Sequence, residues 1–294
     1  MDYVLMMNVA GHAAVDAGNA ILDVYNSDFG VEEKADHSPL TLADRRAHEI
    51  ISARLRTSGL PVLSEEGRDI PYDERSIWRM YWLVDPLDGT KEFVKRNGEF
   101  TVNIALIIDS FPVAGIVYVP VSDTAYIGLQ ETGAFRFSDF SKVIEGKNLA
   151  ELLTPECSIK TGSVDPSIFR VVASRSHLNE ETQAFIDKFK KQYFKIEMVS
   201  KGSSLKLCMV AEGEADIYPR LAPTMEWDTA AGQAVAEASG AIVTLIDGKS
   251  RLRYNKPDLT NPKFIVRSRK VRIMSESTVV KTRVAGGKRP RLKK

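Results

Sequence analysis

The 294-residue chain is poor in cysteine, with only Cys157 and Cys208. Two cysteines far apart give neither a disulfide framework nor a metal-ligand spacing, and they suit a reducing compartment. Long apolar runs are missing as well, and no stretch approaches the roughly 18 residues that a spanning helix requires. The opening "MDYVLMMNVAGHAAVDAGNAILDVYN" has no basic leader, and Asp2, His12, Asp16 and Asp23 interrupt it, so it is not expected to act as a targeting segment. An excess of one charge is also absent. Forty Lys and Arg face 39 Asp and Glu, and a net charge of +1 excludes a bulk preference for nucleic acid or for anionic surfaces. No internal repeat appears. What remains is an ordinary globular balance of 44% hydrophobic and 27% charged residues, long enough for one large or two modest domains.

Periodicity divides the chain. An alanine-rich amphipathic helix runs to about Tyr25, and "HSPLTLADRRAHEIISARLR" gives a second, with Asp44 near its first turn. "GLPVLSEEG" and "WRMYWLVD" read as strands. "FTVNIALIID", "PVAGIVYVPV" and "TAYIGLQ" follow as an antiparallel meander. Residues 136–165 are more polar and irregular, and a domain boundary is placed there. Beyond it strands and helices alternate: "FRVVASRS", "NEETQAFIDKFKKQ", "FKIEMVS", "SSLKLCMVAEG", "ADIYPR", "EWDTAAGQAVAEASG" and "KFIVRS". This order predicts an α+β N-terminal half over 1–150 with an antiparallel sheet, and an α/β substrate-recognition half over 151–267. The last stretch, 268–294, carries ten Lys or Arg against the single acid Glu276 and reads as a basic tail. A solubilising extension is its plainest role, and a weak contact with an anionic membrane surface the alternative.

Five acids stand at element ends: Asp44, Glu65, Asp85, Asp88 and Asp228. Hard divalent cations take oxygen ligands, so a set of three or four carboxylates with open positions suits Mg²⁺. In "DPLDGT", Pro86 fixes one backbone angle and Gly89 permits a tight turn. That turn would bring Asp85, Asp88 and the Leu87 carbonyl to one space, with Asp85 bridging two ions. The Thr90 hydroxyl, within reach of Asp44, would orient an attacking water. Each piece also has a bland account: "DPLDG" as a solvated turn, "SEEG" as a surface loop, and Asp228 as the cap of its own helix.

The order of these pieces resembles the inositol monophosphatase superfamily of metal-dependent phosphatases. The signature "WLVDPLDGTKEFVKRNGEFTVNIALI" and the blocks "SRSH", "GSSLK", "VAEGEADIYPR" and "EWDTAAG" look most like its bacterial bisphosphate nucleotidases. The resemblance spans roughly residues 5–267 and implies a layered αβαβα sandwich of the sugar-phosphatase type. It implies one Mg²⁺ held by Glu65, Asp85 and the Leu87 carbonyl, a second by Asp85, Asp88 and Asp228, and a third beside Glu65, with inhibition by lithium. By the same resemblance Thr90 and Asp44 activate the water, Glu65 belongs to the catalytic set, and Ser203, Lys206 and Arg220 hold the phosphate that is not cleaved. His177 approaches the nucleotide. Gly89, Gly202 and Asp228 complete the substrate contacts.

Independently of the resemblance, a guanidinium offers forked donors to phosphate, and backbone amides before a helix favour an anion. The expected reaction is hydrolysis of adenosine 3',5'-bisphosphate to AMP and phosphate, with 3'-phosphoadenylyl sulfate as a second substrate. The expected setting is the cytoplasm, with a peripheral place on the cytoplasmic face of the inner membrane ranked second. No nucleic-acid partner is expected. The rivals are an inositol- or sugar-phosphate phosphatase and, in another class, a non-catalytic nucleotide sensor.

Overall fold

A computed structural model describes residues 2–27, 39–162, 167–173 and 180–273. Its helices are α1 (Tyr3–Tyr25), α2 (Pro39–Leu55), α3 (Tyr72–Arg75), α4 (Thr90–Val94), α5 (Phe140–Ile144), α6 (Leu149–Leu152), α7 (Glu180–Asp187), α8 (Leu205–Ala211) and α9 (Trp227–Ala238). The strands are β1 (Val62–Ser64), β2 (Met80–Asp88), β3 (Thr101–Ile108), β4 (Phe111–Val119), β5 (Thr124–Leu129), β6 (Gly133–Phe137), β7 (Ser158–Ile159), β8 (Ile168–Val172), β9 (Lys195–Val199), β10 (Ile217–Arg220), β11 (Ile242–Leu245) and β12 (Phe264–Arg267).

The first seven strands form one sheet in chain order, antiparallel from β2 onward, with β1 parallel to β2. The others form a five-stranded mixed sheet in the order β11-β12-β10-β8-β9. Side chains alternate across a strand, so each sheet feeds two cores. Trp82, Val84, Ile104, Leu106, Ile116 and Ile127 join Ala14, Ile21, Ala47 and Ile51 of α1 and α2. Tyr81, Leu83, Ala105, Ile107 and Val117 point the other way, onto Leu207 and Met209 of α8, Ala231 and Val235 of α9, and Tyr218, Val243 and Phe264 of the second sheet. The outer face of that sheet, Phe169, Val171, Ile217 and Ile265, buries Phe185 and Ile186 of α7. The order is α1/α2, first sheet, α8/α9, second sheet, α7: the expected αβαβα sandwich.

Three details depart from the sequence reading. Short strands β6, β7 and β11 were not expected, and β7 pairs with β6, so the first sheet takes its last strand from within the stretch assigned to a boundary. Of the basic stretch, residues 268–273 pack against the body, with Val271 fully buried beside Phe169 and Ile265. Residues 274–294 lie outside the described residues, and with them the membrane-contact expectation. Among the described residues no helix is long and apolar enough to cross a membrane, and Cys157 and Cys208 are free thiols.

Helix α9, which carries Asp228, lies in direct backbone contact with the first sheet. A Cβ added at Gly128 on β5 would sit 2.5 Å from the Ala234 carbonyl oxygen and 2.5 Å from Val235 Cα. Gly128→Ala is therefore expected to cost about 1–3 kcal/mol through overpacking. Urea unfolding checks this, and an unchanged midpoint would mean that α9 can step away freely.

Candidate active site

The pivotal segment is β2. Residues three apart in a regular strand face opposite sides, which would separate Asp85 from Asp88. The β2–β3 register shows how they meet. Asp85 pairs with Asn103 but Asp88 with Thr101, so β2 holds one extra residue between them. This is a β-bulge, a device that re-aims side chains beside functional sites. Pro86 has no N–H to give the ladder and falls inside the bulge, where none is needed. The sequence reading placed a turn after the strand; the strand instead continues through Asp88. The tight bend comes one residue later, at Gly89, whose φ of +97° is open to glycine and opens α4.

Asp85 is 1% exposed. Burial lifts its pKa well above the usual carboxylate range, and Asp88, Glu65, Asp228 and Asp44 each push it further. This one group is thus acted on by the other four acids expected from the sequence. Its Oδ1 accepts the Leu87 N–H at 3.1 Å, pinning the bulge. Burial, then Glu66 and Glu65, raises Asp44 to about 8, and among the described residues its buried Oδ1 has no hydrogen-bond partner. Glu65, exposed at the end of β1, is raised by partial desolvation, then by Glu66 and Asp88. Asp228, in the first turn of α9, is raised to about 7 by burial and Asp88, with Arg220 pulling it down.

Asp228 does not cap its own helix: the N-cap of α9 is Glu226, with no side-chain cap hydrogen bond, and Asp228 Oδ2 instead accepts the N–H of Met225, just before the helix, at 2.9 Å. Glu226 beside it is fully buried and accepts the Asn255 and Lys256 N–H groups at 2.7 and 3.0 Å, and the Lys256 ammonium. That fixes the base of α9.

Thr90 and Asp44 were expected to share a hydrogen bond. Among the described residues none joins them: Thr90 is exposed at the first position of α4, while Asp44 is buried on α2. His177 lies outside the described residues.

The donor set fits divalent cations. Buried carboxylates that push one another's pKa values up, with an orphaned oxygen among them, are an uncompensated negative cluster. Among the described residues no three His, Cys, Asp or Glu side chains close into a ready ligand shell.

Asp88 and Asp228 also line a cavity of about 180 Å³, which four cations share with them and with Glu92: Lys206 from α8 and Arg220 from β10, together with Lys91 and Lys95. Arg220 donates to the Pro223 carbonyl at 2.9 Å, and among the described residues its buried Nε has no partner. Lys206 Nζ donates to the Ser203 carbonyl at 2.9 Å. Lys91 and Lys95 were missed by the sequence reading. Their four-residue spacing on one face of a short helix after Gly89 was the available signal. One expected feature is corrected. The Gly202 N–H is not open to an anion, because Glu99 Oε2 accepts it at 2.8 Å.

With this geometry in place, comparisons define the class. The chain belongs to the inositol monophosphatase family, which it matches over residues 2–284. It is 44% identical over 266 residues to the 3'(2'),5'-bisphosphate nucleotidase CysQ of Escherichia coli K12, covering 89% of this chain and 99% of that protein. To the protein of the same name from Buchnera aphidicola it is 38% identical, over 85% of this chain and 88% of the relative. Among solved structures, CysQ of Bacteroides thetaiotaomicron superposes with a TM-score of 0.82 at 48% identity, covering 90% and 97% of the two chains. An inositol monophosphatase from Zymomonas mobilis, 21% identical with a TM-score of 0.69, covers 91% of this chain and 94% of its own and shares the fold.

Proposed function

We propose that this protein is a magnesium-dependent 3'(2'),5'-bisphosphate nucleotidase that converts adenosine 3',5'-bisphosphate to AMP and phosphate, and 3'-phosphoadenylyl sulfate to adenylyl sulfate. The observation that carries the reading is the cavity that Asp88 and Asp228 line together with Lys91, Lys95, Lys206 and Arg220. A substrate with one phosphate needs the acids and their cations. A second phosphate gives the basic side chains a purpose. The 44% identity with nucleotidases over nearly their whole length supports the same choice, as does membership of a family of metal-dependent phosphatases.

In this reading Glu65, Asp85, the Leu87 carbonyl, Asp88 and Asp228 hold two Mg²⁺ ions, with a third beside Glu65. Bound magnesium supplies Lewis-acid polarisation of the phosphate and a more acidic water. The chain supplies placement and a proton acceptor. Asp44 Oδ1 is buried and, among the described residues, unpartnered, so it is suited to take a proton from the attacking water. Thr90 and Asp44 must approach one another for the hydroxyl to share that water. Gly89 lets the backbone pass close to the scissile phosphate. Ser203, Lys206 and Arg220 receive the retained phosphate, and the Arg220 Nε–H, buried and without a partner among the described residues, is a donor left for it. The free thiols suit the cytoplasm.

Phosphate release from a small panel tests the assignment. The bisphosphate nucleotide should exceed inositol 1-phosphate in kcat/KM. Arg220→Ala should lose roughly ten- to a hundredfold on the nucleotide, the worth of a charged hydrogen bond to phosphate, and much less on inositol 1-phosphate. A wild-type preference for inositol 1-phosphate would overturn the choice of substrate.

A further inference from the structure

The loop before α8 touches acids and a cation of this cavity at once, through a run of polar contacts. Ser203 donates its hydroxyl to Asp88 Oδ2 at 2.6 Å and meets the Thr101 hydroxyl. The Ser204 hydroxyl donates to the Asp228 carbonyl at 2.6 Å and accepts from Asn103 Nδ2 at 3.0 Å. The Ser203 carbonyl in turn receives Lys206 Nζ. So two residues, Ser203 and Ser204, join Asp88 of the first sheet, Asp228 of α9 and Lys206.

Ser203 adopts φ +51°, a left-handed conformation that costs a residue with a Cβ. A loop held in that state needs a backbone anchor besides the charged hydrogen bond from Ser203 to Asp88. The anchor is Glu99, on the connection between α4 and β3. Its Oε2 accepts the Gly202 N–H at 2.8 Å, and its other oxygen lies 3.8 Å from Lys201 Nζ. Asn97 Oδ1 accepts the Glu99 N–H at 2.9 Å, which steadies the carboxylate from its own backbone. The two segments approach so closely that a Cβ at Gly202 would lie 2.7 Å from the Glu99 carbonyl oxygen.

We infer that Glu99 is a positioning residue for the reaction: its carboxylate clasps the Gly202 amide and thereby seats Ser203 and Lys206 against the retained phosphate. Glu99 does not line the cavity that Asp88 and Asp228 share. It acts through the chain Glu99, Gly202, Ser203, Lys206. The oxygen acceptor is what the clasp requires, and the ion pair with Lys201 at 3.8 Å engages the other oxygen. The part concerning phosphate rests on the nucleotidase reading above, whereas the clasp itself does not.

Two variants separate the alternatives. Glu99→Gln keeps an oxygen acceptor for the Gly202 N–H, and Glu99→Ala removes it. In the free protein, amide exchange followed by NMR should accelerate at Gly202 by about tenfold or more in E99A and by less than about threefold in E99Q. In Mg²⁺-supported assays E99A should raise KM for adenosine 3',5'-bisphosphate by about tenfold, with a smaller change in kcat and little change in KM for inositol 1-phosphate. E99Q should restore the wild-type value to within about threefold. Unchanged Gly202 exchange in E99A would overturn the clasp, whatever the substrate. E99Q failing as E99A does would overturn the acceptor role. Exchange behaving as expected while both substrates lose equally would leave the clasp standing and overturn its link to the second phosphate.

Discussion

Asp85→Asn should abolish phosphatase activity and at the same time stabilise the metal-free protein. The activity loss follows from the position of Asp85. It is the buried carboxylate on which Asp88, Glu65, Asp228 and Asp44 all act, and the one shared by two ions in the proposed reading. Removing such a ligand forfeits several kcal/mol of transition-state charge stabilisation, a fall of at least about a thousandfold in kcat/KM. The stability gain follows from the same burial. An amide of nearly the same shape takes a like charge out of a cluster of acids, and its oxygen can still accept the Leu87 N–H. Phosphate release with Mg²⁺ and a thermal melt in EDTA at pH 8 measure the two effects. A variant that keeps a tenth of the activity, or that melts below the wild-type protein in EDTA, would remove Asp85 from the centre.

This pairing of effects also shows what could be read from the sequence. Strand and helix runs were legible wherever apolar periodicity was strong, as in "FTVNIALIID" and "SSLKLCMVAEG". The five acids were legible from their order along the chain, although Asp44 lies within α2 and Asp85 within β2 rather than at element ends as expected. The bulge in β2 was not. Spacing alone cannot distinguish a turn that brings Asp85 and Asp88 together from an extra strand residue that does so, since the difference lies in pairing to Asn103 and Thr101. Strands such as Ser158–Ile159 are too short to carry a period, and their existence depends on a neighbour already in place. The Gly202 amide illustrates the same limit: its partner Glu99 lies 103 positions earlier, and only the packing of α8 beside the first sheet brings them together. Lys91 and Lys95 went unread because their four-residue spacing does not by itself show that they share a cavity with Lys206 and Arg220.

The second large effect expected is a pH-dependent stability that magnesium removes. Asp228 is raised to about 7 and Asp44 to about 8, from ordinary values of 3.8. A carboxyl whose folded pKa lies above its unfolded one binds its proton more tightly in the folded state. Stability is therefore fully present below about pH 4 for these groups and is lost as pH rises through 7 and 8. In EDTA the protein should thus become less stable between pH 5 and pH 8, by an amount on the order of a few kcal/mol, or roughly 5–10 °C in Tm. Saturating Mg²⁺ should reverse the trend. The cation favours the ionised carboxylates, and at a hundred times its Kd it contributes about 2.7 kcal/mol to the folded state. The gain in Tm on adding Mg²⁺ should accordingly be largest at pH 8 and shrink toward pH 5, where protons compete for the same oxygens. Melting curves at three pH values, with EDTA and with Mg²⁺, give the comparison. A magnesium gain that is equal at pH 5 and pH 8 would mean that the ion does not neutralise this cluster. A metal-free protein that gains stability with rising pH would mean that Asp44 and Asp228 are compensated by other charges.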